Sequence, residues 1–355
     1  MLTIAVDAMG GDAAPRVVVE GAADALEKLP ADQRIRLVGD PDALNPELQQ
    51  LSLANNDRIE IAEASEVIHM EDSPAKALRT KKDSSISVGT HLTKEGEADA
   101  FVSAGNTGAV VGSSILKLRA LPNVERPGIA TVFPSPTGPF VLLDAGAHMD
   151  AKPLHLVHYA LMGEAYAQKI LNIPSPRIGL LNVGAEESKG NELTKNTYQK
   201  LKEIPELNFV GNVEGHDLFE NRIDVVICDG FVGNVVLKCC ESLANGLNGI
   251  LKQCLKKTFI RKLGALISRN AFYEMKAMSD RDEYGGAPLL GVNGVCIIGH
   301  GSSSRRAIQN AILVASNFVQ AQVNDTITKR IQDISDVAQT TAASTGQHAQ
   351  PGFSS

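Results

Sequence analysis

Short apolar runs alternate with amphipathic stretches along the chain, and six of the runs end in a tail of small and polar residues. These tails begin at Asp7, Ser103, Asp144, Asn182, Asp229 and Gly299. Continuous apolar runs are typical of buried parallel strands, and their alternation with helical stretches is typical of βαβ units. Ligands of open α/β sheets bind beyond the carboxyl ends of the strands. The six tails therefore predict one composite binding site.

The same pattern predicts the order of the elements. Strands are expected near 2–6, 34–38, 58–62, 100–104, 128–133, 139–143, 177–182, 207–210, 223–228 and 292–298. Helices are expected near 15–28, 41–54, 74–81, 84–95, 107–118, 153–170, 191–203, 231–255 and 302–323. A hairpin over 129–143, with its turn at 134–138, would add antiparallel strands. We predict an α/β fold, a three-layer α/β/α sandwich around a mostly parallel sheet.

No linker separates two halves of the chain, so we interpret residues 1–335 as one large catalytic domain. Residues 336–355 contain few apolar side chains. Burial of so little apolar surface would not offset the entropy lost on ordering, so we expect a disordered tail.

Composition narrows the class of protein. The 355 residues are 43% hydrophobic and 21% charged, without tryptophan, which fits a soluble globular α/β protein. No apolar run approaches the ~18 residues of a membrane span, and the N-terminus lacks the basic flank of a secretory signal. The net charge of −7 argues against nucleic acid as a partner. We therefore expect a cytoplasmic protein.

The cysteines indicate neither a redox nor a metal site. They form no C-x-x-C pair and no metal-ligand spacing, so we expect buried thiols in a reducing cytosol. They are Cys228, Cys239, Cys240, Cys254 and Cys296.

Motifs for nucleotides, metals and covalent nucleophiles are missing. The stretch 299–304 lacks the third glycine of a dinucleotide-binding loop. The chain has no P-loop, no nucleophile elbow and no H-E-x-x-H zinc motif. We therefore expect no cofactor and no metal. The glycines and small polar residues favour anion binding by backbone N–H groups instead.

Asp7, Asp144 and Asp229 each stand at the end of an apolar run. Each carboxylate could cap a helix or brace a neighbouring loop. If all three meet at one rim, they would orient loop amides around a ligand. Direct contact with an anionic substrate is not expected, because like charges repel.

Asn106 and Asn234 open helical stretches within glycine-rich tails that also contain Gly105, Thr107 and Gly233. Either asparagine could be a simple helix cap. Alternatively, its amide and the helix N–H groups could hold a phosphate or a developing oxyanion. Lys189 is the one cation within the six tails. It is either a solvated surface charge or, as we favour, the counter-charge for phosphate or oxyanion.

A free histidine side chain has a pKa near ~6.5, so His300, which lies between two glycines, could act as a general acid or base or simply brace the backbone. Ser302, Ser303 and Ser304 lead into a helix that begins Arg305-Arg306. This arrangement predicts a second anion cradle.

A basic stretch near 247–272 is amphipathic. Segment 242–273 has no acidic residue, and its apolar positions follow the spacing of one helical face. It could face the core or a second subunit, or it could meet anionic lipid or an acidic protein. The residues expected at such a contact are Lys252, Lys256, Lys257, Phe259, Arg261, Lys262 and Leu263.

Stretches spread from residue 4 to residue 304 resemble, in order, the phosphate acyltransferase family of bacterial phospholipid synthesis (PlsX). They are 5–12 (AVDAMGGD), 103–109 (SAGNTGA), 143–147 (LDAGA), 189–191 (KGN), 229–234 (DGFVGN), 285–291 (GGAPLLG) and 300–303 (HGSS). One departure is His148, where the family usually has asparagine.

The resemblance implies a dimeric α/β/α sandwich related to phosphotransacetylases and isocitrate-type dehydrogenases. It implies transfer of a long acyl chain from acyl carrier protein to inorganic phosphate. The acyl phosphate product would pass to a glycerol-3-phosphate acyltransferase in the membrane, so peripheral contact with the inner face of the cell membrane is expected.

The residues support this chemistry independently, because phosphate is already a nucleophile and the protein need supply only orientation and charge stabilisation. Lys189 and Asn234 are the candidates for the oxyanion, with His300 as a further catalytic candidate. The candidates for binding substrate are Asp7, Gly10, Gly11, Gly105, Asn106, Thr107, Asp144, Asp229, Gly233, Ser302 and Ser303.

Two other functions remain open. The first is a phosphotransacetylase-type enzyme that uses coenzyme A thioesters. The second is a non-catalytic, membrane-recruited scaffold for lipid synthesis, which the polar tails disfavour because a scaffold has no need of them.

Overall fold

The computed structural model describes residues 1–136, 138–220, 223–279 and 281–346. Thr137 of the predicted turn and residues 347–355 of the predicted tail lie outside these ranges. The strands are β1 Leu2–Asp7, β2 Gln33–Gly39, β3 Ile59–Glu63, β4 Ala100–Ser103, β5 Gly128–Phe133, β6 Phe140–Leu143, β7 Ile178–Leu181, β8 Phe209–Val213, β9 Val225–Ile227, β10 Ala287–Leu290 and β11 Val295–Ile298.

The helices include all those that the sequence predicted. They are α1 Arg16–Lys28, α2 Pro41–Gln50, α3 Pro74–Thr80, α4 Ser85–Lys94, α5 Thr107–Lys117, α6 Pro153–Lys169, α7 Glu192–Lys202, α8 Gly230–Lys256, α9 Phe259–Ile267, α10 Arg269–Ser279, α11 Arg305–Gln320 and α12 Val323–Gly346.

Alternate side chains of the strands point to opposite faces of the sheet, which gives the molecule three layers. Ile4 and Val6 belong to a buried cluster that includes residues of α1, α6, α11 and α12. Ala5, between them, belongs to a second cluster with residues of α3, α4 and α5. The predicted α/β/α sandwich is thus confirmed. The assignment of 1–335 to one domain stays a prediction.

The described strands form a single eleven-stranded sheet in the order β3-β2-β1-β4-β11-β10-β5-β6-β9-β7-β8. Most neighbours are parallel, but β10 is antiparallel to both β11 and β5, and β5 is antiparallel to β6. The predicted hairpin is confirmed by the β5–β6 pair. Strand β10 was not predicted, since a run of four residues containing Pro288 is a weak strand signal.

The basic stretch is not one continuous helix. Helix α8 ends at Lys256, and α9 begins at Phe259 after Thr258, whose hydroxyl oxygen accepts a hydrogen bond from the backbone N–H of Arg261 at 3.3 Å. An N-cap of this kind marks the start of a new helix.

Helix α12 was also not predicted. Ile327 and Ile331 are buried in the cluster shared with α6, and Arg330 pairs with Glu164 of α6 at 2.9 Å. The helix continues through Gly346, so its last turns occupy the start of the segment expected to be disordered.

Candidate active site

The strand directions divide the six tails into two groups. Strands β1, β4 and β11 run parallel to one another and end at one edge of the sheet. Strands β6, β9 and β7 are also mutually parallel, but three successive antiparallel pairings separate them from β11, so they run the opposite way. The tails therefore do not share one edge, because the hairpin that the sequence predicted reverses every strand that pairs beyond it.

The two edges approach each other in the middle of the sheet. Strand β10 connects them. Its first residue, Ala287, pairs with Ile298 at the end of β11, and its last residue, Leu290, pairs with Gly128 at the start of β5. At the usual rise per residue of a strand, Ala287 and Leu290 lie about 10 Å apart. We call the tails of β1, β4 and β11 the first cluster and those of β6, β7 and β9 the second cluster.

Asp7 organises the first cluster. Its buried carboxylate accepts hydrogen bonds from the Ser103 hydroxyl at 2.6 Å and from the Met9 N–H at 3.1 Å. Burial raises the pKa of Asp7, and these donors oppose the rise. A Cβ atom at Gly10 would overlap the Asp7 carboxylate and lie 2.7 Å from the Gly105 nitrogen. Glycine is required for this close approach of two loops.

Asn106 is the N-cap of α5, and its side chain is fully engaged. The carbonyl oxygen accepts a hydrogen bond from the Ala109 N–H at 3.1 Å. The amide nitrogen donates to the backbone carbonyl oxygens of His69, Met70 and Asp72, each at 3.1 Å. The side chain thus joins the loop around residue 70 to α5, which begins at Thr107. Its predicted contact with phosphate stays a prediction.

His300 and Ser302 form a compact turn at the end of β11. The His300 Nδ1 atom accepts a hydrogen bond from the Ser302 N–H at 3.2 Å and lies 2.9 Å from the Ser302 hydroxyl. The backbone donor assigns the ring proton of neutral His300 to Nε2. The Ser303 N–H donates to the His300 carbonyl oxygen at 2.9 Å. Gly11, with a φ of +109°, packs beside the Gly301 carbonyl oxygen.

Asp144 organises the second cluster. Its buried carboxylate accepts hydrogen bonds from four backbone N–H groups, those of Ile129 (2.9 Å), Gly146 (3.0 Å), Ala147 (2.9 Å) and His148 (2.8 Å). Burial raises the pKa of Asp144, and the four donors oppose the rise. Asp144 therefore braces the loop after β6, which is the structural role that the sequence analysis allowed for it.

Asp229 is the N-cap of α8. Its carboxylate accepts hydrogen bonds from the N–H groups of Phe231 and Val232, both at 3.0 Å. Gly233, in the first turn of the helix, lies against the Asp144 carbonyl oxygen. This contact fixes the start of α8 onto the loop after β6.

Asn234, the next residue, faces that loop. A Cβ atom at Gly146 would lie 3.4 Å from the Cβ atom and 3.6 Å from the Oδ1 atom of Asn234. Gly146 has a φ of +135°, where other residues are strained. The loop at Gly146 therefore lies directly beside the Asn234 side chain.

Lys189 lies in the tail of β7, next to β9 in the sheet. Its backbone N–H donates to the Glu186 carbonyl oxygen at 3.0 Å, and its carbonyl oxygen accepts from the Asn182 amide at 3.2 Å. Asn191 then caps α7. Among the described residues the exposed Lys189 ammonium group has no ion-pair partner, so it is available to an anion. Lys189 and Asn234 thus lie in segments that follow the neighbouring strands β7 and β9, whereas most of the predicted binding residues lie at the other edge of the sheet.

A cleft in the second cluster was missed from the sequence. It is lined by Glu125, Arg126, His148, Asp150, Lys152 and His155. Nothing in the spacing of these residues forms a motif. One indication of the cleft was present in the sequence. Residues 125–126 come just before β5 and residue 152 directly before α6, and loops at such positions lie at the edge of the sheet.

Buried His155 holds two walls of this cleft together. Its Nε2 atom lies 2.9 Å from the Glu125 carboxylate, and its Nδ1 atom accepts a hydrogen bond from the Lys152 N–H at 3.1 Å. Burial lowers the pKa of His155, and Glu125 opposes this effect. The His148 ring stands edge-on to the His155 ring at 5.4 Å.

Helix α9 exposes apolar side chains and buries none. Phe259, Ile260 and Ile267 are 79%, 81% and 77% exposed. The basic side chains Lys252, Lys256 and Lys262 line a groove with Phe272 and Met275. The basic stretch therefore does not face the core of this chain, and a membrane, a carrier protein or a second subunit remains to cover it.

Within the described ranges, no helix is long and apolar enough to cross a bilayer. The same residues contain no group of three or more His, Cys, Asp or Glu side chains arranged to hold a metal ion.

Comparison with known proteins agrees with the fold and the motifs. A family model described as "Fatty acid synthesis protein" matches residues 2–326. The phosphate acyltransferase of Heliobacterium modesticaldum is 52% identical over 319 residues, which are 90% of this chain and 94% of that protein. The phosphate acyltransferase of Desulfitobacterium hafniense strain Y51 is 51% identical over 332 residues, 93% of this chain and 98% of that protein.

Solved structures share the fold at low sequence identity. A phosphotransacetylase from Streptococcus pyogenes superimposes with a TM-score of 0.60 at 18% identity, covering 90% of this chain and 94% of that one. A branched-chain phosphotransacylase from Enterococcus faecalis V583 superimposes with a TM-score of 0.54 at 14% identity, covering 90% and 99%. The chain belongs to the phosphate acyltransferase family of fatty acid synthesis proteins and is an acyltransferase.

Proposed function

We propose that this enzyme transfers a long-chain fatty acyl group from acyl carrier protein to inorganic phosphate and releases an acyl phosphate. The observation that carries the proposal is that Asn234 and Lys189 lie in the segments that follow the adjacent strands β9 and β7. The side chain of Asn234 lies beside Gly146 of the loop after β6, and the Lys189 ammonium group has no ion-pair partner among the described residues. Family membership supports the same reaction class.

The reaction needs no covalent intermediate with the protein. An oxygen of hydrogen phosphate attacks the thioester carbon, the carbon–sulfur bond breaks, and the phosphate proton ends on the departing thiol. Negative charge develops on the thioester oxygen in the transition state. In our proposal Lys189 and Asn234 stabilise that charge, which is the kind of interaction that contributes most to acyl transfer.

The cysteines suit this non-covalent route. Burial raises the pKa of Cys228 and of Cys296, the latter to about 12, so neither is a thiolate at neutral pH. Cys239 is exposed, but it lies further along α8 than Asn234, the residue that contacts the loop after β6.

We further propose that the protein is a homodimer that touches the anionic inner face of the cell membrane. Helix α8 exposes Val235, Leu243, Leu247 and Ile250 at helical spacing, and a second copy would cover such a stripe.

The apolar side chains and basic residues of α9 suit the headgroup region of a bilayer. Acyl phosphate would then form beside its consumer, a membrane glycerol-3-phosphate acyltransferase. The basic residues of α9 would also attract an acidic carrier protein and so increase its rate of association with the enzyme.

The choice of acyl donor tests the proposal. With phosphate present, palmitoyl-acyl carrier protein should release free carrier-protein thiol at a kcat/KM at least about tenfold above that of palmitoyl-coenzyme A and of acetyl-coenzyme A. A preference for acetyl-coenzyme A would favour a phosphotransacetylase instead. If the protein acted on none of these thioesters, the non-catalytic scaffold for lipid synthesis would be favoured instead.

A further inference from the structure

The cleft between β5, the loop after β6 and the start of α6 has the size of a small-molecule site. Its volume is about 480 Å³, within the ~300–1,000 Å³ usual for such sites. Its lining side chains come from the segment before β5, the loop after β6 and the start of α6, and they are Glu125, Arg126, His148, Asp150, Lys152 and His155. It was not among the predicted substrate-binding positions.

Two cationic side chains in this cleft are available to an anion. Arg126 and Lys152 are exposed, and neither makes an ion pair within the described ranges. The Glu125 carboxylate lies 2.9 Å from His155 Nε2, so its hydrogen-bonding capacity is partly satisfied by the ring. A guanidinium fork with a neighbouring ammonium group is a common way to hold a phosphate.

The cleft and Asn234 share one loop. The His148 N–H donates to Asp144 at 2.8 Å, and the His148 carbonyl oxygen accepts from the Gly230 N–H at 3.0 Å. His148 lines the cleft, and Gly146 of the same loop faces Asn234. The loop that contributes His148 to the cleft therefore also contacts the candidate oxyanion group, whereas the predicted cradle at Ser302 and Ser303 lies at the other edge of the sheet.

We propose that this cleft binds the phosphate that accepts the acyl group, with Arg126 and Lys152 as its cationic ligands. The inference rests on the proposed function and adds the position of the acceptor. Held there, hydrogen phosphate presents an oxygen toward a thioester carbonyl beside Asn234. Asp150 at the cleft opposes the binding of a dianion through its own charge.

Steady-state kinetics on single variants test this assignment. Arg126→Ala and Lys152→Ala should each raise the KM for phosphate by about tenfold or more, because each removes a charge-assisted contact. The KM for the acyl donor should change less than twofold. Asp150→Asn should lower the KM for phosphate. Lys169→Ala, at the far end of α6, is the matched control and should leave both constants unchanged.

Two outcomes would overturn the assignment. An unchanged KM for phosphate in Arg126→Ala and Lys152→Ala would exclude the cleft. If only the KM for the acyl donor rose, the cleft would instead bind the phosphodiester group of the carrier protein's pantetheine arm. Titration calorimetry with inorganic phosphate, on wild type and on the Arg126→Ala/Lys152→Ala double variant, gives a readout without turnover. Loss of phosphate binding in the double variant would support the cleft even if wild type transferred no acyl group, so the two proposals fail separately.

Discussion

Gly233 lies against the main-chain carbonyl oxygen of Asp144, so that a Cβ atom at position 233 would overlap that oxygen. This contact joins the first turn of α8 to the loop after β6. The next residue is Asn234, whose position therefore depends on the absence of a side chain at 233.

Substitution of Gly233 by alanine should move Asn234 and lower kcat by about 10- to 100-fold, since small displacements of a catalytic group have effects of this size. Gly249→Ala is the matched control, because Gly249 lies in the same helix with no neighbouring atom within 4 Å of its added Cβ. The control should keep its activity and gain up to about 1 kcal/mol in free energy of unfolding. Equal activity of both variants would contradict the role of the contact.

Lys189→Ala and Asn234→Ala should each lower turnover by at least ~10²-fold with the fold intact, which is the usual effect of removing one oxyanion donor. Lys195→Ala, an exposed lysine of α7, should be close to wild type. Initial rates and circular dichroism measure the two properties. Near-normal rates in both variants would exclude these assignments.

Acidification should destabilise the protein through His158. Burial lowers the pKa of His158, whose Nδ1 atom accepts a hydrogen bond from the Glu125 N–H at 3.3 Å. Below about pH 6.5 the unfolded chain binds a proton at this ring before the folded chain does, so the free energy of unfolding falls as the pH falls. Urea unfolding between pH 7.5 and pH 5.5 should show a smaller loss in His158→Gln than in wild type. Parallel losses would show that this ring does not contribute.

Membrane contact is tested by co-sedimentation with anionic liposomes at low salt. Wild type should bind and should be released by salt, because each basic residue near the surface contributes about 1 kcal/mol. Leu263→Glu and Lys256→Glu/Lys257→Glu should reduce binding. Leu116→Glu, on α5, is the control for an exposed leucine elsewhere on the surface. Failure of wild type to bind, or disruption of a dimer by Leu263→Glu without an effect on lipid, would contradict the membrane contact.

The periodicity of apolar residues was sufficient to predict the three layers, helices α1 to α8 and α11, and every described strand except β10. It did not predict β10, whose four residues include a proline, or the break at Thr258, where a single hydroxyl group starts a new helix. Helix α12 was missed because its few buried positions, such as Ile327 and Ile331, are spread among polar residues.

The site was predicted less completely than the fold. The polar tails were found, but strand direction depends on pairings between distant segments, and these separate Asn106 from Asn234. The three carbonyl groups that accept hydrogen bonds from Asn106 lie in a loop with no motif. Arg126 and Lys152 meet only in the folded chain, so their spacing in the sequence carried no signal.

The proposed reaction is tested most directly by whether the acyl group passes straight from carrier protein to phosphate. Enzyme and palmitoyl-acyl carrier protein are incubated with and without inorganic phosphate, and the products are followed by intact-protein mass spectrometry and by trapping of acyl phosphate with hydroxylamine. We expect free carrier-protein thiol and trapped acyl hydroxamate in equal amounts only when phosphate is present, with the enzyme mass unchanged throughout. An acylated enzyme, or thiol release that does not depend on phosphate, would exclude direct transfer to phosphate.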